Sequence, residues 1–197
     1  LDIATVPSQN EEEVWGLENL GRGQFKPRRL WFTMNFDIGC AGLVQADLDG
    51  DGDTDLLVPV GDNFEDVTSY PQAYHGCIWL ENQGDWTFKP HKIATLGGTY
   101  AAAAGDLDGD GDVDVALVSM FNDWDEPGTA SLVWLENDGE EQFTTWQLSS
   151  NPIRLITLAL GDLDGDGRAD LVAGGVHVIR PYDRAQRVSA WFNRGER

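Results

Sequence analysis

The sequence predicts an all-β fold, a β-propeller of four-stranded antiparallel blades with about three blades in its 197 residues, and three recurrences predict it. An acidic loop occurs as DLDGDGDTD (47–55), DLDGDGDVD (106–114) and DLDGDGRAD (162–170), at spacings of 59 and 56 residues. A tryptophan-bearing segment occurs as VWGLEN (14–19), IWLEN (78–82) and VWLEN (133–137), with a shortened AWFN at 190–193. A third segment follows it as QFKPRRL (24–30), TFKPHKI (87–93) and QFTTWQL (142–148).

Each repeat divides into four strands. Strand A precedes the acidic loop: AGLVQADL (41–48), AAAAGDL (101–107) and TLALGDL (157–163). Its small side chains suit a crowded, innermost position. Strand B follows the loop at once: DLLVPV (55–60), DVALVSM (114–120) and DLVAGGV (170–176). These nearly continuous apolar runs are what a strand covered on both faces requires. Strand C is the tryptophan segment and strand D the phenylalanine segment; both are rich in aromatic or β-branched residues and bounded by Gly, Asn or Asp. No stretch sustains a 3.6-residue apolar period, which excludes a two-domain α/β arrangement, and the repeat is about twice too long for a β-helix. Residues 1–13, with IATVPSQNEEE, read as a flexible lead-in, so the blades are expected over 14–197.

The formal charge is −21 and the isoelectric point near 4.1, which argues against nucleic acid and anionic membranes as partners. Of the 34 acidic residues, 14 fall in the 27 residues of the three loops, so the charge is a local feature with a local cause. No apolar run is long enough to span a bilayer, and none suggests membrane insertion. Cys40 and Cys77 permit one disulfide without demanding it; two free, half-buried thiols are the alternative.

Numbered from its first residue, each loop carries carboxylates at positions 1, 3, 5 and 9: Asp47, Asp49, Asp51 and Asp55; Asp106, Asp108, Asp110 and Asp114; Asp162, Asp164, Asp166 and Asp170. Glycine at position 6 (Gly52, Gly111, Gly167) permits the turn that gathers them around one point. Four converging carboxylates repel unless a hard divalent cation sits among them, and calcium fits the ligand number and spacing at all three sites. Position 7 is Asp53, Asp112 and Arg168; it is expected to contribute a backbone carbonyl, leaving the Arg168 side chain free to point into solvent. An EF-hand would need Glu at position 12 and a following helix, whereas Val58, Leu117 and Ala173 stand there and a strand follows. Leu48, Leu107 and Leu163 at position 2 are expected to anchor each loop in the core.

The D-x-D-G-D-G-x-x-D loop between two strands, followed by WLEN and F-x-x-x-x-[IL], resembles the FG-GAP/VCBS repeat of integrin-α-type β-propellers, over roughly residues 14–193. The resemblance implies a calcium-stabilised propeller, usually extracellular, used for adhesion or ligand binding. It implies that the metal loops lie on one face, with the B–C and D–A loops on the other, and that the calcium is mainly structural.

The strands number three A, three B, four C and three D, too few to close a ring of about four to eight blades. Either other sequence or another chain completes the propeller, or two copies complete one another through their ends as a ring or filament. The B–C loops, GDNFEDVTSYPQAYHG (61–76), FNDWDEPGTAS (121–131) and HVIRPYDRAQ (177–186), are long and unlike one another. On them Phe64, Tyr70, Tyr74, His75, Trp124 and Tyr182 offer rings for a glycan or protein ligand, and Arg180 and Arg184 offer cations. Trp79, Trp134 and Trp191 are expected to pack between blades. His75, His91 and His177 fall at unrelated repeat positions, and no catalytic motif is present, so an enzyme is not expected. The leading expectation is a secreted or cell-surface calcium-binding module for adhesion, surface structure or ligand binding. Alternatives are a lectin using the B–C loops, a self-assembling structural subunit, and a non-catalytic part of a polysaccharide-active enzyme.

Overall fold

The computed structural model describes residues 2–8, 11–62, 70–177 and 182–195. Among them all regular structure is β, as fourteen strands in four antiparallel sheets with no helix. The first sheet is β1 (Ile3–Thr5), β2 (Glu13–Gly21) and β3 (Gln24–Phe32). The second is β4 (Val44–Ala46), β5 (Asp55–Val60), β6 (Gly76–Asn82) and β7 (Phe88–Ala94). The third is β8 (Thr99–Gly105), β9 (Asp114–Ser119), β10 (Leu132–Asn137) and β11 (Phe143–Ser149). The fourth is β12 (Leu155–Gly161), β13 (Asp170–Gly175) and β14 (Val188–Trp191). Each sheet is a meander in chain order, the propeller-like blade that the recurrences predict.

The apolar runs of the B strands have a direct explanation in the packing. Leu56, Val58 and Val60 of β5 point into a cluster with Val14 of the first sheet, while Leu57 points the other way, into a cluster with Val115, Leu117, Val133 and Leu135 of the third. In β9 the alternation repeats: Ala116 and Val118 join Leu155, Leu171 and Ala173 of the fourth sheet. A strand pinched between two neighbours must be apolar at odd and even positions alike. The innermost strands β4, β8 and β12 touch one another across sheets, where alanine and glycine leave room for close approach.

Four sequence expectations need correction. Ile3–Thr5 is not part of a lead-in but strand B of a first blade, with Ile3 opposite Leu17 and Thr5 opposite Trp15. Three exposed residues carry too little apolar pattern to announce a strand; only their pairing to β2 does. Consequently there are four sheets rather than about three blades, two of them three-stranded. Trp191 is also misaligned by its motif. It stands opposite Leu171, as Leu80 stands opposite Leu56 and Leu135 opposite Val115, so it packs back onto the third sheet in the leucine position. Ala190 occupies the place held by Trp79 and Trp134. Lastly, Cys40 and Cys77 form no disulfide: they are the free thiols of the alternative reading, but fully rather than half buried, in different clusters, and burial raises the pKa of both.

Candidate metal centres

Each acidic loop joins the first and second strands of a four-stranded sheet or of the fourth sheet, and a small set of repeated hydrogen bonds shapes it. The position-1 carboxylate accepts the amide of the position-6 glycine: Gly52 to Asp47 at 3.1 Å, Gly111 to Asp106 at 3.2 Å and Gly167 to Asp162 at 3.0 Å. These glycines have φ of +92°, +102° and +87°, the left-handed region where a Cβ is penalised. The position-5 carboxylate accepts the position-7 amide, from Asp53, Asp112 and Arg168 in turn. The chain thus wraps its own carboxylates with backbone N–H groups.

Position 9 has a different task. Asp55, Asp114 and Asp170 are buried, and each bridges two segments. One oxygen accepts the position-2 amide, from Leu48 at 3.1 Å, Leu107 at 2.9 Å and Leu163 at 2.9 Å. The other accepts the amide of the asparagine at or just past the end of strand C: Asn82 at 2.7 Å, Asn137 at 2.8 Å and Asn193 at 2.8 Å. Asp2 does the same for Asn19 at 2.8 Å, so the first blade keeps this joint. Burial pushes the carboxyls of Asp55 and Asp114 above the usual 3.8, against the pull of those amides and of the Trp79 and Trp134 indoles. At Asp170 the Asn193 and Leu163 amides prevail, with Arg194 nearby, and its pKa is lowered.

The asparagine of WLEN escaped the sequence reading, although its recurrence at 82, 137 and 193 was visible. Its amide group stitches one blade to the loop of the blade before. Asn137 Nδ2 donates to Leu48 O and to Val113 O, both at 3.1 Å, and Asn193 Nδ2 donates to Leu107 O at 2.6 Å. Asn82 reaches Thr54 O in its own sheet at 3.0 Å.

Carboxylate oxygens meet in all three loops. Asp47, Asp49 and Asp51, then Asp106, Asp108 and Asp114, then Asp162, Asp164 and Asp170, each offer oxygens within 4.8 Å of one another. The third member comes from position 5 in the first loop and from position 9 in the others. Asp47 Oδ1 is buried with no hydrogen-bond partner among the described residues, as a ligand atom would be. An all-oxygen, carboxylate-rich set of this kind fits a hard divalent cation, and the three clusters can hold metal ions.

Arg168 departs from expectation. Its side chain is not free in solvent: Nε donates to Asn193 O at 3.0 Å and the guanidinium pairs with Asp166. Leu48 is buried and Leu107 packs against the core between the third and fourth sheets, but Leu163 is 50% exposed and anchors nothing among the described residues.

The B–C loop candidates are less suited to a ligand than their sequence suggests. His75 is fully buried, and its Nδ1 accepts amides from Gly98 at 2.9 Å and Gln72 at 3.2 Å, so it ties a B–C loop to a D–A loop. Tyr74 packs edge-on to His75. Trp124 is buried, and Arg184 is spent on its carbonyl at 2.7 Å and on Asn151 Oδ1 at 2.8 Å. Tyr70 and Tyr182 remain exposed and apart from these contacts. Phe64 and Arg180 lie outside the described residues. Trp79 is buried between the second and third sheets and stacks on His91 with ring centroids 4.7 Å apart.

A search of the curated proteins finds no match to the chain. The family model described as FG-GAP-like repeat matches three times, over residues 1–58, 61–117 and 117–173. Its first match takes in the strand at Ile3–Thr5, in agreement with a first blade that begins ahead of residue 14. With nearly the whole chain covered by successive copies of one repeat, the protein belongs to the FG-GAP-like repeat family.

Proposed function

We propose that the chain is a non-catalytic, calcium-stabilised module of an extracellular or cell-surface protein, serving adhesion or ligand binding. The observation that carries this reading is the threefold gathering of aspartate oxygens in loops of one design, with Asp47 Oδ1 left buried and unbonded. Calcium would supply the positive charge that such loops need, held by the aspartates of positions 1, 3, 5 and 9, and extracellular modules bind it in the range where external calcium is plentiful. A structural rather than catalytic role is supported by the commitments of these carboxylates, which are shared between the loop's own amides and the asparagine joints. The family's usual extracellular setting supports the location, and among the described residues no helix is long and apolar enough to cross a membrane.

The test is thermal unfolding with calcium, with magnesium and with a chelator. Calcium is expected to raise the midpoint by about 10 °C or more over the chelated chain, and magnesium to do much less. Asp108→Ala should remove part of that rise. A midpoint indifferent to calcium would overturn the reading.

A second reading, binding of another chain across an open blade face, is favoured by one observation. Val188 is 70% exposed on the face of β14 that alternates away from Trp191, and Leu163 in the 162–170 loop is 50% exposed. Another copy of this chain or a partner of other sequence would cover them.

A further inference from the structure

The three loops are not electrically equivalent. Position 7 is Asp53 in the first, Asp112 in the second and Arg168 in the third, so the formal loop charge is −5, −5 and −3. The residue after the closing asparagine differs in the same sense: Gln83, Asp138 and then Arg194. Both arginines turn inward on the loop. Arg194 Nη1 lies 2.9 Å from Asp164 Oδ2, and the Arg168 guanidinium pairs with Asp166 Oδ2 while the Arg168 amide donates to Asp166 Oδ1. Two of the four carboxylates that a cation would draw on are therefore engaged by guanidinium groups, which do not lose their protons at any ordinary pH.

Neither arginine is a loose surface group that happens to fall nearby. Nε of Arg168 is fastened to Asn193 O at 3.0 Å, just past the end of β14, where Asp170 also grips the Asn193 amide. The Arg194 guanidinium carbon stands 5.3 Å from the Phe192 ring centroid, a cation–π distance. Each thus has a contact besides the aspartate it pairs with.

We propose that Arg168 and Arg194 are resident counter-ions of the 162–170 loop, which holds its turn without a metal, while calcium fills the 47–55 and 106–114 loops first. To bind calcium at full strength the third loop must release Asp164 and Asp166 from their partners and accept a divalent ion beside two positive charges. Each charge opposes it through a few ångströms of partly solvated medium, so the handicap is moderate rather than absolute. The inference rests on the calcium reading above, and the experiment separates the two.

Calorimetric titration of the chain with calcium chloride should show two equivalents bound tightly and a third at least about tenfold more weakly. In the double variant Arg168→Gln/Arg194→Gln the third equivalent should rise to the level of the others. Arg194→Gln alone, at the more exposed of the two pairs, should move it the same way by less, and it guards against a double variant that does not fold. Asp106→Asn should remove one tight equivalent, and Asp162→Asn none. Three equal sites in the unaltered chain, a tight equivalent lost with Asp162→Asn, or a third site unmoved in folded arginine variants would each overturn the proposal and leave the calcium reading standing. No calcium bound at any loop would overturn both.

Discussion

Asp114 shows how one side chain can close a loop and join two strands at once. Its two oxygens accept the amides of Leu107 and Asn137, and the side chain is wholly buried. Asp114→Ala would leave both amides unpaired in the interior, at a cost of roughly 3 kcal/mol, and Asp114→Asn, which keeps one acceptor, should cost less; urea unfolding measures both. These residues also predict a pH dependence. Asp49, Asp55 and Asp114 all have carboxyls raised above 3.8, burial being the largest cause in each. A folded pKa above the unfolded one means stability that is complete below the unfolded value and lost as pH rises through the folded one. The chelated chain should therefore lose this contribution as pH climbs above 3.8, and calcium should cancel that loss by favouring the charged form; urea midpoints at several pH values test it. Asp170, whose pKa is lowered, contributes in the opposite sense, losing its share as pH falls below 3.8.

At the scale of elements, the blades are held together by apolar clusters and by polar stitches placed beside the loops. Asn137 spans both, since its side chain reaches the loop of the second sheet at Leu48 O and its backbone is gripped by Asp114 of its own. Asn137→Ala should cost roughly 2 kcal/mol and Asn82→Ala, whose side-chain amide donates among the described residues to Thr54 O of its own blade, roughly half as much; the difference, read from melting midpoints, is the worth of the stitch between blades. The same logic explains why AWFN misled. Its tryptophan invites alignment with Trp79 and Trp134, but the joint that defines the register is the asparagine amide, and matching Asn193 to Asn82 and Asn137 puts Trp191 one place away, in the leucine position.

At the scale of the whole molecule, the sheets differ in how their faces are covered. The second and third sheets are each covered by neighbours on both sides, whereas Leu163 and Val188 of the fourth lie open. If another copy covers them, light scattering should give a mass that is a multiple of one chain both with calcium and after chelation, because the loop carrying Leu163 keeps its turn through the Arg168 and Arg194 pairs. A single-chain mass under both conditions would direct the search to a partner of different sequence.

Fold class and loop chemistry are legible in the residues alone. Three copies of one acidic loop, with glycine at fixed places and two-sided apolar strands behind it, leave little else for the chain to be, since spacing and side-chain type act locally. The rest depends on neighbours distant in the chain. Ile3–Thr5 becomes a strand by pairing with β2, and His75 and Trp124 prove to be packing residues because loops from other blades close over them. Arg168, which reads as a tolerated substitution facing solvent, becomes part of the third loop's electrostatics because Asn193 and Asp166 come within its reach. A local pattern reports what a segment can form; which partners satisfy its charges and hydrogen bonds is settled by contacts made across the fold.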